Sequence, residues 1–255
     1  MEKRNTINNI LQKLLIILFA FALIMPTACD KNDEAEDIKP SGAPDIPPES
    51  TFVMDFSGFE NADTTDLKST QSYHNWWYAA SHVAIWNTII TVGFAVPVIS
   101  FREAFNHLPV YDPDLGSWVW SYNFMAQGAA HLAELHGTVT NDTVKWEMYI
   151  TKRGAYSDFL WYHGIALNNN TEGQWHLNKN PNEPHELVLI EWHRDPAQNE
   201  ADIKYTNVEE GAAGNGGYIH YGVHDDPVYN AFYDIFVIEN DKLLEIEWHR
   251  TNQNG

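Results

Sequence analysis

Cysteine and positively charged residues are both scarce in this 255-residue sequence. The single cysteine, Cys29, excludes an intramolecular disulfide bond. The 15 Lys and Arg residues are outnumbered by 35 Asp and Glu residues, which gives a formal net charge of −20 at pH 7. A chain this acidic repels the phosphates of nucleic acids through its long-range field. Nucleic acid is therefore excluded as a partner.

Recognisable catalytic motifs are also missing. The sequence contains no glycine-rich phosphate-binding loop, no nucleophile elbow and no cysteine nucleophile. The segment that begins at His185 is not an HExxH zinc motif, because Leu189 stands where the second histidine is required. We therefore predict a protein that is not an enzyme and has no cofactor and no metal site. A metal-dependent hydrolase is the least favoured alternative.

The amino terminus has the composition of an export signal. Its first 29 residues are "MEKRNTINNILQKLLIILFAFALIMPTAC", with basic residues at the start, an apolar run over residues 14–25 and two small residues before Cys29. The apolar run is too short and wrongly flanked for a membrane-spanning helix. The segment resembles the type II signal peptides of bacterial lipoproteins, in which the cysteine is diacylated. The resemblance implies a lipoprotein signal peptide over residues 1–28 and a lipid anchor on Cys29.

Residues 29–50 continue as "CDKNDEAEDIKPSGAPDIPPES", acidic at first and then rich in proline. Such a composition cannot bury enough apolar surface to offset the entropy lost on ordering, so it predicts a tether. The acidic run after the cysteine resembles the export signal of Bacteroidota surface lipoproteins, and a plain solvated linker is the alternative. The resemblance implies a lipid-anchored protein of the bacterial outer membrane that faces the cell exterior.

A long segment without Asp, Glu, Lys or Arg follows, between Lys68 and Arg102. Its apolar residues repeat with helical spacing on nearly all sides, which predicts a buried core helix. A membrane span is the alternative. We expect Pro97 to end or kink this helix and Ser100 to cap a second, shorter one.

Beyond residue 110 the apolar residues alternate with polar ones. In a strand, the segment "SWVWSYNF" places Trp118 and Trp120 on one face. The segment "TVKWEMYI" places Trp146 on one face together with the other apolar residues of that strand. These three tryptophans are candidates to line a site for a glycan or an apolar ligand. Such segments predict a meander of about ten antiparallel strands, and a sheet of that size must curl. We expect a mainly β (α+β) domain over residues 51–255, an up-and-down barrel or half-barrel around or against the apolar helices.

One segment occurs twice, as "LVLIEWHR" at residues 187–194 and "LLEIEWHR" at residues 243–250, with six of eight positions identical. In a strand, each copy directs its tryptophan to the core and its glutamate and histidine to the other face. These polar pairs could form one cluster able to bind a divalent metal. We favour a repeated architectural strand instead. The candidate residues are Glu191, His193, Glu247 and His249.

Together, these features predict a lipid-anchored cell-envelope protein that acts as a surface-exposed binding or structural module. Its partners would be the membrane, through the lipid on Cys29, and a glycan or an apolar ligand. The alternative is a half-barrel carrier of a lipid or another apolar ligand, loosely similar in architecture to periplasmic lipoprotein carriers and their receptors. A carrier requires an empty interior, so an interior filled by helix would argue against it.

The end of the sequence predicts a further strand. The last five residues, "TNQNG", have the composition of a hairpin turn. A turn with no returning strand would leave a sheet edge without backbone partners, which proteins usually cover. We therefore expect the domain to continue beyond residue 255 by at least one strand. The alternative is that "LLEIEWHR" is a natural edge strand, protected by Arg250 and the polar tail.

Overall fold

The computed structural model describes residues 42–54 and 70–250. They form a mainly β domain with one antiparallel sheet of eleven strands, in which strands adjacent in sequence are also adjacent in the sheet. The two edge strands of the described sheet do not pair with each other, so the sheet is open, consistent with a half-barrel or a curled sheet. The predicted fold class, an up-and-down meander next to apolar helices, is confirmed. Cys29, the predicted signal peptide and residues 251–255 lie outside the described residues.

Two helices precede the strands and are joined by a π-helical turn. The helical elements are α1 (Thr70–Thr88), the π-helical turn (Ile89–Gly93) and α2 (Ala95–Ala104), with short 3-10 turns at Glu49–Thr51 and Ile238–Asn240. The strands are β1 (Val110–Asp112), β2 (Ser117–Ala126), β3 (Ala129–Val139), β4 (Thr143–Lys152), β5 (Tyr156–Leu167), β6 (Glu172–Asn180), β7 (Glu183–Asp195), β8 (Glu200–Asn207), β9 (Tyr218–Val223), β10 (Ala231–Val237) and β11 (Lys242–Trp248). About ten strands were predicted, one fewer than the eleven that the structure shows. The difference is explained by β1, whose three residues are too few to show alternation.

The helices cover one face of the sheet, which we call the covered face. Helix α2 packs against β2, and α1 packs against β10. The side chains of Val83, Trp86, Ile90 and Phe94 are buried there, as expected for a core helix. The opposite side of the sheet, which we call the open face, carries the polar residues of the alternating strands.

The break between the helices lies before Pro97. Phe94 leaves the helical conformation, and the helix axis bends by 69° there. Pro97 is in the first turn of α2, where its missing N–H is not needed. Ser100 does not cap α2, because its hydroxyl donates to the carbonyl of Pro97 from inside the helix (2.8 Å). Among the described residues no single helix is long and apolar enough to span a membrane, although the bent pair Ala80–Gly93 and Ala95–Ala104 together meets that test of length and composition.

Residues 42–54 also pack on the covered face. The Phe52 ring stacks on Phe101, with 4.5 Å between centroids and 12° between planes, and lies 4.8 Å from Tyr162. The Tyr205 hydroxyl donates to the Phe52 carbonyl (3.0 Å) and accepts from the Met54 amide (2.6 Å). The sequence places residues up to 50 in a tether, whereas from residue 42 onwards the segment belongs to the folded domain. Its proline content suggests a linker even though its aromatic and apolar side chains are core.

Candidate functional site

The three tryptophans proposed as a ligand lining lie on the covered face. Trp120 and Trp146 are almost fully buried, with ring centroids 5.5 Å apart. Trp118 is partly buried, and its ring lies 5.3 Å from that of Tyr111. Helices and residues 42–54 fill this face. Trp120 and Trp146 therefore pack as core. Trp120 also borders a cavity of about 240 Å³ between residues 44–46 and 104–109, which neither Trp118 nor Trp146 lines.

The structure does not bring the two copies of the repeat together. Glu191 and His193 lie on β7, while Glu247 lies on β11 and His249 directly follows it. Three strands stand between the copies, which separates them by roughly 19 Å at ordinary strand spacing. His193 instead faces Asp202 on the neighbouring strand, with Nδ1 3.5 Å from Oδ2.

Two other histidines do meet on the open face. The register of the β5–β6 hairpin places His163 directly opposite His176. Their rings are parallel within 5°, and their centroids are 4.9 Å apart. Both side chains are half-buried. The pair is therefore held by the backbone pairing of two adjacent strands, which fixes its position on the sheet.

Glu186 on β7 joins this pair because of an irregularity in the strand. The pairing of Leu177 with Val188 is followed by that of Asn178 with Glu186, so β7 has one extra residue at this point. Regular alternation from buried Val188 would direct Glu186 toward the covered face. The bulge redirects its side chain to the open face, where its Oε1 contacts Nδ1 of His176.

The two histidines and Glu186 form a compact group, which we call the His163 cluster (His163, His176 and Glu186). Each residue offers one potential ligand atom, and the three atoms lie within 4.8 Å of one another. The other ring nitrogen of His176, Nε2, is 3.1 Å from the amide nitrogen of Gln174. Because an amide nitrogen donates, Nε2 accepts, and the ring proton sits on Nδ1 facing the Glu186 carboxylate.

The surroundings of His163 favour the neutral form of its imidazole. Burial of the His163 imidazole lowers its pKa, and the neighbouring His176 lowers it further, while nearby carboxylates act in the opposite direction. One of those carboxylates, Glu147, lies 3.0 Å from the ammonium of Lys145. A histidine whose pKa is below its ordinary value of about 6.5 is neutral at pH 7 and offers a nitrogen lone pair.

An open groove of about 430 Å³ adjoins the cluster. Gln174 contacts His176 and also lines the groove, so the two features are continuous. The lining is partly acidic and partly apolar, and includes Ile165, Leu167, Glu172, Glu191, Trp192, His193 and Asp202. Glu191 and His193 of the first repeat therefore face a groove, although their counterparts on β11 do not contribute to it.

A second group with metal-ligand chemistry already contacts a lysine ammonium. Glu183, His185 and Glu209 also bring three ligand atoms within 4.8 Å. The ammonium of Lys179 lies 2.7 Å from Glu183 and 2.9 Å from Glu209, so a cation already bridges the two carboxylates. Glu183 and His185 are exposed to solvent, which weakens any ion pair made there.

The sequence analysis did not identify the His163 cluster, although the spacing of its two histidines in the sequence indicates that they pair. His163 and His176 are equally distant from the centre of the turn at residues 169–170, and residues placed symmetrically about a hairpin turn become cross-strand partners. Glu186 gives no such signal, because its orientation depends on the bulge.

Comparisons with known proteins give this chain no relatives. No protein-family model, curated protein or solved structure matches it significantly. The geometry of the two faces of the sheet is therefore what indicates a function.

Proposed function

We propose that the protein is a lipid-anchored module of the bacterial outer membrane that faces the cell exterior and binds a ligand with the open face of its sheet. The resemblance of the N-terminal segment to lipoprotein signals supports the anchor on Cys29. One observation carries the choice of face: the covered face is filled by α1, α2 and residues 42–54. The open face has the groove and the His163 cluster.

The packing of the covered face argues against the alternative of a lipid carrier. A ligand between helices and sheet would have to displace Phe52 from its contacts with Phe101 and Tyr162. It would also have to break both hydrogen bonds of the Tyr205 hydroxyl. Binding on the open face requires no such rearrangement, so a binding module is the simpler role.

The anchor is tested by substitution of its only possible acceptor. We expect Cys29→Ala in the full chain, expressed in a Bacteroidota host, to abolish acyl labelling and to move the protein out of the membrane fraction, because a lipid chain provides the membrane affinity. Labelling of both proteins with an alkyne fatty acid, followed by fractionation, measures this. A variant that still incorporates the fatty acid would refute lipidation at this residue.

The proposed exposure at the cell surface is tested with a second variant. Replacing the acidic residues 33, 34, 36 and 37 by Asn or Gln should preserve labelling but protect the protein from protease added to intact cells. The acidic run, in this proposal, acts as the export address and not as the anchor. Equal protease sensitivity of the variant and the parent would reduce the run to a linker.

A further inference from the structure

We propose that the His163 cluster binds a divalent transition-metal ion of the class of Zn²⁺, Ni²⁺ or Cu²⁺, with the two imidazoles and the Glu186 carboxylate as ligands. This inference rests on the proposed function, because it names the chemical class of one ligand of the open face. It also departs from the expectation drawn from the sequence, which assigned no metal site to the chain.

The ligand set selects the class of ion. Two imidazole nitrogens and one carboxylate oxygen suit zinc, copper and nickel, whereas magnesium and calcium prefer sites made wholly of oxygen atoms. Three protein ligands are the usual set of an accessible zinc site, in which water or another molecule takes the remaining position. At the His163 cluster that position is next to the groove, so a bound ion can meet a second ligand there.

The scaffold already places the ligands near the required spacing. The cluster comes from β5, β6 and β7, three adjacent strands whose backbone pairing is fixed. A tetrahedral ion with bonds of 2.0–2.1 Å needs ligand atoms about 3.3 Å apart. The atoms now lie within 4.8 Å, so rotations of the side chains can close the site without movement of the strands.

Proton positions indicate how the ion enters. In the structure, Nδ1 of His176 faces the Glu186 carboxylate, so the hydrogen bond between them requires a proton on one of the two groups. A metal ion replaces that proton and is bound by Nδ1 and the carboxylate together. The ring proton is then on Nε2, and a turn of the Gln174 side-chain amide lets its Oε1 accept a hydrogen bond from that N–H. Gln174 is thus a positioning residue that holds the His176 ring in its binding orientation.

The His163 cluster is also more available to an ion than the other candidate group. Glu147, the further carboxylate near His163, is paired with the ammonium of Lys145 (3.0 Å), whereas no lysine ammonium is paired with Glu186 among the described residues. At the group of Glu183, His185 and Glu209, an incoming ion would first have to displace the ammonium of Lys179. Among the residues that the structure describes, these are the two groups with three ligand atoms in reach of one ion.

The experiment uses the full chain with Cys29→Ala, without a polyhistidine tag, so that neither a thiol nor a tag binds the metal. Calorimetric titration of the metal-free protein at pH 7.5 should show a single Zn²⁺ bound per chain, and excess Mg²⁺ should not compete. His163→Ala and His176→Ala should each weaken Zn²⁺ binding at least about 100-fold, because loss of an outer partner alone costs about 10–100-fold. Gln174→Leu should weaken it about 10-fold.

Two histidine variants serve as matched controls. His220→Ala changes a half-buried histidine of the open face outside the cluster, and His185→Ala changes the second candidate group. Both should bind Zn²⁺ with the parent's affinity. Circular dichroism checks folding, and His163→Gln, which preserves most of the side-chain volume, replaces His163→Ala if the latter unfolds.

The outcomes separate this inference from the proposed function. Absence of Zn²⁺ binding in the parent, unchanged affinity in both cluster variants, or loss of binding in His185→Ala would each overturn the metal site. None of these results depends on where the protein is located in the cell. Conversely, continued acyl labelling of the Cys29→Ala variant, or a parent chain that protease added to intact cells does not reach, would overturn the proposed function while the calorimetric result for the metal stands. A Zn²⁺ site that responds to His163, His176 and Gln174 and ignores His185 and His220 is the result we expect.

Discussion

Trp192→Ala is expected to lower the free energy of unfolding by about 3–5 kcal/mol, the range for removal of a large buried side chain. Trp192 is 3% exposed and lies on the covered face between Gly173 and Ile203 of the adjacent strands. Its ring covers Gly173 so closely that a Cβ there would be 2.5 Å from it. Removing the ring leaves a cavity that the glycine cannot fill. Urea denaturation followed by circular dichroism measures the change.

The second copy of the repeat supplies a matched control. Trp248 has the same neighbours in sequence but lies partly exposed on the edge strand β11, where its ring stacks on Tyr233 (5.0 Å, 14°). Trp248→Ala should therefore cost only about 1–2 kcal/mol. His193→Ala, with half of its side chain exposed, should stay within about 0.5 kcal/mol. Equal losses for the two tryptophans would contradict the difference in burial that the fold assigns to them.

Gly164→Ala is expected to destabilise the domain by more than about 3 kcal/mol or to prevent folding, because overpacking against backbone cannot relax. A Cβ at Gly164 would collide with the carbonyl oxygen of Gln174 and lie 2.5 Å from the Trp175 ring. The carbonyl belongs to the β5–β6 ladder and cannot move without loss of pairing. The same denaturation experiment measures this effect.

Gly93→Ala is the control for the glycine substitution. Nothing lies within 4 Å of a Cβ at Gly93, and its backbone is in an ordinary region for L residues. Alanine there should be neutral or stabilise by up to about 1 kcal/mol, since it reduces the entropy of the unfolded chain. A tolerated Gly164→Ala would mean that β5 and β6 are spaced more widely than this structure has them.

Alternation of apolar and polar residues was sufficient to predict the meander, because each strand buries one face. The same alternation placed Trp146 on one face of its strand, but it was interpreted as a candidate ligand lining and is core instead. What covers such a ring was not predictable: Trp146 and Trp175 each lie over a glycine of an adjacent strand, Gly137 or Gly164, and that pairing depends on register. An isolated glycine in a strand indicates close approach but does not identify what approaches.

The covered face shows why composition misplaced the start of the domain. The segment before Phe52 is rich in proline, which favours a linker, but residues distant in sequence hold it: Arg102 Nε donates to the Glu49 carboxylate (2.6 Å) and Asn170 Nδ2 donates to the Asp45 carbonyl (3.2 Å). The helix break was misplaced for a local reason. Pro97 is compatible with the first turn of α2, so the chain bends at the π-helical turn instead.

The candidate site could also be predicted from the sequence only in part. Cross-strand pairing of His163 with His176 follows from the symmetry of one hairpin, whereas the position of Glu186 depends on a bulge that the sequence does not signal. The repeated segment shows that two nearly identical sequences need not form one site. Its copies have nearly identical residues, but in a meander they fall on β7 and β11, too far apart for Glu191 and Glu247 to share an ion. The similarity of the two segments therefore indicates a common type of strand and not a common site.

Anomalous X-ray scattering from crystals of the full chain soaked in Zn²⁺ tests the central claim most directly. Measured at the zinc absorption edge, it locates bound ions without reference to activity or stability. We predict a peak on the open face, about 2.0–2.1 Å from a nitrogen of His163 and of His176 and about 2.0–2.2 Å from a Glu186 oxygen. Absence of a peak there, or a peak held instead by His185 and Glu209, would contradict the claim that the open face of this sheet is a metal-binding surface.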